Sequence, residues 1–298
     1  MFFWLASEGN VSRGTKTRMM TNKVCTVKDH LVSGETFDIL WDKSKGFART
    51  HPQPSEQKLG SYYNSTDYIS HNQKTQSLVG LLYRIARRMM FRIKTRMFKN
   101  ELSDQGTILD YGCGTGDFLQ YAASQSYKVY GVETNSGARK QANEKGFLVV
   151  DSWEKLPNNQ FDLISLWHVF EHVLDLEACI NEFNLRLNKN GTLLIAVPNL
   201  NSYDAKHYNE YWAAYDAPRH LWHFPQTGII SLMDSKGFEL KAIHPLILDA
   251  LYISYVSEKH KGSKTPLIKG VLKGIVSNLK AKKSGEYSSL VYIFKKKN

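Results

Sequence analysis

Three cysteines in 298 residues, Cys25, Cys113 and Cys179, are too few and too scattered for a disulfide framework. Their scarcity points to a reducing compartment. No apolar run approaches the roughly 20 residues a helix needs to span a bilayer. The opening Met1-Phe2-Phe3-Trp4-Leu5-Ala6 has no basic lead and runs at once into polar sequence, which makes a poor secretory signal. There is no internal repeat and no low-complexity tract. A cytoplasmic protein is the simplest reading. Apolar residues make up 42% of the chain, enough for a sizeable core in one large domain or one domain with additions.

Acidic residues are scarce at both ends. Residues 1–100 hold 17 Lys and Arg against 7 Asp and Glu, and residues 261–298 hold 10 against 1. The middle, 101–260, is acidic, with 12 against 20, and the whole chain carries +11. Basic ends attract phosphates or anionic lipid, or are solvated surface.

From about residue 106 strand and helix patterns alternate. Strands are expected at 107–110, 128–132, 147–150, 161–166 and 191–197, with helices at 117–126, 136–145 and 176–187 between them. Further on, a helix at 227–236, a strand at 238–243, two helices within 250–283 and a last strand at 288–294 are expected. Such alternation implies an α/β fold, a Rossmann-like doubly wound sheet of seven strands, mostly parallel with the last antiparallel. Residues 1–75 read as an N-terminal extension with short strand-like runs and a poorly ordered start. Residues 76–100 read as a basic amphipathic helix, and 101–298 as the main domain. That domain carries a lid at 199–226 and a helical insert at 250–285.

The first parallel strand ends at Asp110, followed by Gly112, Gly114 and Gly116. Glycines permit a tight turn and a close approach to a ligand beyond the strand ends. A dinucleotide fingerprint would need glycine at position 117 or 119, where Asp117 and Leu119 stand. The spacing is Gly-x-Gly-x-Gly, with acids nearby that would repel a pyrophosphate. Glu133 ends the second strand, where a carboxylate can accept from a ribose diol. Asp151, Ser152 and Trp153 follow the third strand, where an adenine edge and face could be held.

Three pieces together resemble the class I S-adenosylmethionine (SAM)-dependent methyltransferases. They are Leu-Asp-Tyr-Gly-Cys-Gly-Thr-Gly-Asp-Phe-Leu from Leu109, Gly-Val-Glu at Glu133, and Phe-Asp-Leu-Ile-Ser-Leu-Trp-His-Val-Phe-Glu-His-Val from Phe161. The resemblance implies SAM as cofactor. It assigns the methionine end to Gly112, Gly114 and Gly116, the ribose to Glu133, and adenine to Asp151, Ser152 and Trp153. Asp110, Cys113 and Trp167 join the candidate cofactor residues by position. SAM carries an ammonium, a carboxylate and a sulfonium but no phosphate, which suits an acidic, amide-rich pocket.

Trp167-His168-Val169-Phe170-Glu171-His172 follows the fourth strand. His-x-x-Glu-His is also a metalloprotease signature, but here it stands at a strand end and no third ligand is evident. Ubiquinone-pathway O-methyltransferases carry a similar Glu-x-x-Glu-His associated with a divalent metal; His168 departs from it. Use of a divalent metal at His168, Glu171 and His172 is left open, and no metal ligands are assigned. His168 and His172 are candidate general bases, and Glu171 and His172 are alternatively local caps. The aromatic, histidine-rich stretch around Asp204–Phe224 reads as a substrate pocket or as a small core of its own. His220 is the third catalytic candidate, and Arg219 could approach the acceptor. The wider order resembles a bacterial group of uncharacterised methyltransferases, many with zinc-binding cysteine pairs near the N-terminus. Asp42 and Lys45 stand where one pair would fall, so no zinc is expected.

The helix around Leu267–Leu279 carries an apolar side with lysines about it. It could dock on the core, rest on an anionic membrane, or grip RNA. The acceptor expected is a hydroxyl of a small molecule, lipid-linked or saccharide precursor, with no obligate protein partner evident. Location is cytoplasmic, with peripheral membrane contact left open. An RNA methyltransferase and a catalytically silent SAM-binding protein are the alternatives.

Overall fold

The computed structural model describes residues 21–63, 90–102, 105–157 and 160–297. The expected start at 1–20 and most of the basic helix, 76–89, lie outside the described residues; 90–98 are helical.

Seven strands form the main sheet: β4 (Thr107–Tyr111), β5 (Lys128–Val132), β6 (Leu148–Val150), β7 (Phe161–Trp167), β8 (Leu187–Pro198), β10 (Phe238–Pro245) and β11 (Ser289–Lys296). Their order is β10-β11-β8-β7-β4-β5-β6. β11 pairs antiparallel with both neighbours, while β4, β5, β6, β7 and β8 pair in parallel. This is the sheet the alternating pattern predicted.

The strands are apolar on both faces because helices cover both. Along β8, Leu193, Ile195 and Val197 enter one core layer, and Leu194 and Ala196 the other. Along β11, Leu290, Tyr292 and Phe294 alternate in the same way with Val291 and Ile293. Period-two geometry sends successive side chains to opposite faces, so a strand buried twice over reads as a continuous apolar run. Besides the run 90–98 and a short helix at Glu56–Leu59, the described helices are α1 (Asp117–Ala123), α2 (Ser136–Glu144), α3 (Leu176–Arg186), α4 (Tyr203–Tyr208), α5 (Gln226–Ser235), α6 (Ile247–His260) and α7 (Pro266–Ser284). Side-chain caps mark three starts: Asn135 accepts from Ala138, Asp175 from Glu177 and Ala178, and Ser202 from Ala205.

The N-terminal extension builds a second, antiparallel sheet: β1 (Thr21–Lys28), β2 (Thr36–Asp42), β3 (Phe47–His51) and, from the lid, β9 (Trp222–His223). Extension and lid therefore share one sheet and one core, in which Val27, Phe37 and Ile39 pack with Tyr208, Trp212 and Tyr215. The lid is tied down at two buried charges. Asp204 accepts from Trp212 Nε1 (2.8 Å), Ser277 Oγ (2.7 Å) and Ser288 Oγ. Arg219, 1% exposed, pairs with Asp29 (2.9 Å) and Asp216 (2.7 Å) and donates to the Tyr62 carbonyl. Arg219 is thus bound into the scaffold rather than free to meet an acceptor.

Candidate functional site

The glycine loop leaves β4 at the carboxyl edge of the sheet. Gly112, Gly114 and Gly116 all have positive φ, at 76°, 55° and 75°. A Cβ on Gly112 would collide with Val169, so the loop lies directly against the segment that follows β7. A Cβ on Gly114 would meet nothing within 4 Å; the loop is open on that side. Cys113 is buried, and a Cβ on Gly131 would lie 2.6 Å from its Sγ, so the thiol packs inward against β5.

Glu133, at the end of β5, spans the loop. Its Oε2 accepts from Gly114 N–H (2.9 Å) and its Oε1 from Asn135 N–H (2.7 Å). Each carboxylate oxygen can accept a second hydrogen bond. Asp151 binds Lys155 through Oδ2 (2.8 Å), while its Oδ1 is buried without a hydrogen-bond partner. Such an atom is costly to leave unpaired. Ser152 sits beside it, at the start of a short helical turn. Trp153 turns into the core and stacks on Tyr111, with centroids 4.4 Å apart.

Asp110 lies under the loop, 3% exposed, and accepts from Ser165 Oγ (2.7 Å). Burial pushes its carboxyl up to about 7, against the pull of Ser165 and Lys94. Lys94, from the helical run 90–98, lies 4.0 Å from the Trp167 ring centroid, and burial pushes it down to about 8. The Trp167 indole N–H is buried and makes no hydrogen bond.

SAM fits this edge by donor type. Its adenine amine can donate to the unpaired Asp151 oxygen, its ribose diol to Glu133, and the open loop at Gly114 admits its methionine end.

The His-Glu-His segment divides in two. His168, with φ 57°, stands between two carboxylates; Nε2 lies 2.9 Å from Asp249 on α6 and Nδ1 3.4 Å from Glu171. Burial works against its charge, but the two carboxylates outweigh that and hold it up to about 10. Glu171 is 1% exposed, and neither of its oxygens has a hydrogen-bond partner. Burial would raise its carboxyl, yet the imidazoles around it hold it down to about 2.

A third donor does arrive, from the lid. His172 and His220 meet edge to face with centroids 4.5 Å apart, and His220 Nε2 lies 4.0 Å from Glu171. Glu171, His172 and His220 offer donor atoms all within 4.8 Å of one another, the one such group among the described residues. Two imidazoles and a carboxylate are ligands that suit zinc or a similar ion. His168, which sequence spacing would have included, is left out of the group. His172 Nδ1 faces the Arg219 carbonyl (3.0 Å) and the Tyr63 hydroxyl (3.1 Å), and His220 Nδ1 faces the Ala214 carbonyl (2.8 Å). A carbonyl only accepts, so both rings carry their proton on Nδ1 and turn Nε2 to the interior. Burial, then the nearby His220, pushes His172 down to about 4.

The lid tryptophans do not wall an open pocket. Trp212 is 2% and Trp222 8% exposed, each with its indole N–H bonded, to Asp204 and to the Val173 carbonyl. Asp216 lies within the stretch that the sequence singles out, whereas Asp249 joins the site from α6, and its acidity alone gave no signal.

Residues 82–243 match the sequence profile of a methyltransferase domain. An uncharacterised methyltransferase of Anoxybacillus flavithermus is 30% identical over 96 residues, 30% of this chain and 45% of that one. A ubiquinone biosynthesis O-methyltransferase of Bradyrhizobium diazoefficiens is 28% identical over 102 residues, 32% of this chain and 40% of that one. The chain thus spans less than half the length of these curated relatives. Among solved structures, magnesium protoporphyrin IX methyltransferase of Synechocystis, with bound S-adenosylhomocysteine, shares the fold at TM-score 0.53 and 12% identity, over 81% of this chain and 100% of that one.

Proposed function

Because this chain belongs to the SAM-dependent methyltransferases, the family its residues 82–243 match, we propose that it methylates a hydroxyl group of a small or lipid-linked acceptor. SAM supplies an electrophilic methyl group for in-line attack. The chain's own residues hold and orient: Gly114, Glu133 and Asp151 present the acceptors and the space described above. Positioning and the exclusion of water carry most of such a rate enhancement.

A hydroxyl must lose its proton as it attacks, and the three histidines differ in fitness for that task. His168 already holds a proton at neutral pH, so it serves as a fixed cation and donor. His172 is too weakly basic. His220 remains, and the observation that carries the reading is its setting. Its Nε2 lies 4.0 Å from Glu171 and 3.9 Å from Asp216, two carboxylates that stabilise the imidazolium formed when it takes a proton. The relative named for ubiquinone biosynthesis is an O-methyltransferase, which agrees with an oxygen acceptor.

The test is transfer of labelled methyl from SAM to a panel of phenols, saccharides, lipid-linked alcohols, amines and RNA. Label on a hydroxyl is expected. His220→Ala is expected to lower kcat by about a hundredfold, with S-adenosylhomocysteine affinity kept. Label on RNA or amines, or an unchanged kcat, overturns the reading.

A further inference from the structure

The hairpin of α6 and α7 packs through its smallest residues. On α7, Gly270, Gly274, Ser277 and Ala281 are buried. A Cβ on Gly270 would collide with Tyr255 of α6, and one on Gly274 would lie 2.7 Å from the Ala250 carbonyl oxygen. Residues at this spacing share one helix face and let two backbones approach closely. Because that face is the one turned inward, the large apolar residues of α7 turn outward. Leu267, Ile268, Leu272, Ile275 and Leu279 are between 45% and 63% exposed. Ile247, Leu248 and Tyr252 of α6 are exposed as well. Monomeric soluble proteins rarely leave so many large apolar side chains together in water.

The charge around this face has one sign. From residue 259 to 285 the chain has eight lysines and no Asp or Glu. Exposed Lys264, Lys269, Lys282 and Lys283 flank the apolar stripe. No helix among the described residues is long and apolar enough to cross a membrane, so a helix of this composition would lie on a bilayer.

We propose that the α6–α7 hairpin docks on an anionic membrane surface, with its leucines and isoleucines in the interfacial layer and its lysines at the headgroups. An apolar stripe flanked by lysines matches an anionic leaflet in both chemistries. RNA would use the lysines and leave the stripe in water. A symmetric second copy would set like charge against like. The docked hairpin adjoins the candidate site, since Asp249, which pairs with His168, is on α6 beside exposed Ile247 and Leu248. An acceptor carried in the leaflet would therefore reach the site without crossing bulk water. The docking is independent of the methyl-transfer reading.

Co-sedimentation with phosphatidylcholine vesicles containing about a third phosphatidylglycerol tests it. The full chain is expected to sediment with these vesicles and far less with phosphatidylcholine alone. Leu272→Gln/Ile275→Gln and, separately, Lys282→Gln/Lys283→Gln are each expected to weaken binding about tenfold or more. S-adenosylhomocysteine affinity, measured on the same preparations, stays unchanged and shows that the variants fold. The proposal is overturned by no sedimentation with anionic vesicles, by sedimentation unaffected by the leucine–isoleucine variant, or by a dimer in analytical ultracentrifugation that this variant dissolves. Binding of a duplex RNA that the lysine variant abolishes, without vesicle binding, overturns it in favour of nucleic acid.

Discussion

His168 Nε2 and Asp249 Oδ2 lie 2.9 Å apart, joining the end of β7 to the hairpin inserted before β11. The folded protein holds the His168 imidazole up to about 10, from an ordinary value of 6.5. Below about pH 6.5 the ring is protonated folded or unfolded, and the pair contributes its full stabilisation; that contribution fades as pH rises through about 10. In a proton NMR titration His168 is expected to titrate well above the other histidines. Asp249→Asn is expected to bring it back towards the ordinary value. A His168 that titrates near 6.5 in the wild type contradicts the pairing.

Asp110 gives a pH effect in the same direction. Its folded value, raised to about 7 from 3.8, makes the buried carboxyl stabilising only while protonated. Stability linked to this residue is full below about pH 4 and lost as pH rises through about 7. Asp110→Asn is therefore expected to melt higher than the wild type at pH 8, with the difference closing by pH 4. Its size is at most a few kcal/mol, since each tenfold change in proton affinity is worth about 1.4 kcal/mol. Thermal melts across that range check it.

Two loop glycines separate folding from binding. Gly112→Ala meets Val169 and adopts φ of 76°, so it is expected to cost several kcal/mol of stability, roughly the sum of a clash and a left-handed strain. Gly114→Ala meets no neighbour, and its cost is the left-handed strain alone, about 1–2 kcal/mol. Its larger effect is expected on S-adenosylhomocysteine binding, because the added methyl points into the open side of the loop. Denaturant melts and calorimetry on both variants distinguish the two effects. Equal loss of stability in both contradicts the loop geometry.

Lys94 lies over Trp167 and close enough to Asp110 to be held up by its charge. Lys94→Met is expected to weaken S-adenosylhomocysteine, which carries a carboxylate at the methionine end, more than methylthioadenosine, which lacks it. Equal weakening of both ligands would assign Lys94 to packing alone.

The main sheet was legible in the sequence because its signal is local. Each parallel strand is a short apolar run closed by a turn, and each helix between them restores a period of 3.6. The position of Gly112–Gly116, Glu133 and Asp151 at the strand ends was legible for the same reason, as each follows a strand. The rest depends on contacts distant in sequence. β9 is two residues long, and nothing in Trp222–His223 announces its pairing with Arg49 and Ala48. Glu171, His172 and His220 meet only because the lid folds back over the strand ends. The apolar side of α7 is compatible in the sequence with a core, a membrane or RNA; the side that faces the core is the glycine, serine and alanine row, since small residues allow the closer approach.

Calorimetric titration of the wild type and Glu133→Ala with S-adenosylhomocysteine, and separately with NAD, tests whether the strand-end loop binds SAM. S-adenosylhomocysteine is expected to bind the wild type and to bind the variant about tenfold or more weakly through the lost ribose hydrogen bonds, and NAD is expected not to bind. Absence of S-adenosylhomocysteine binding to a folded wild type, or NAD binding in its place, would contradict SAM binding there.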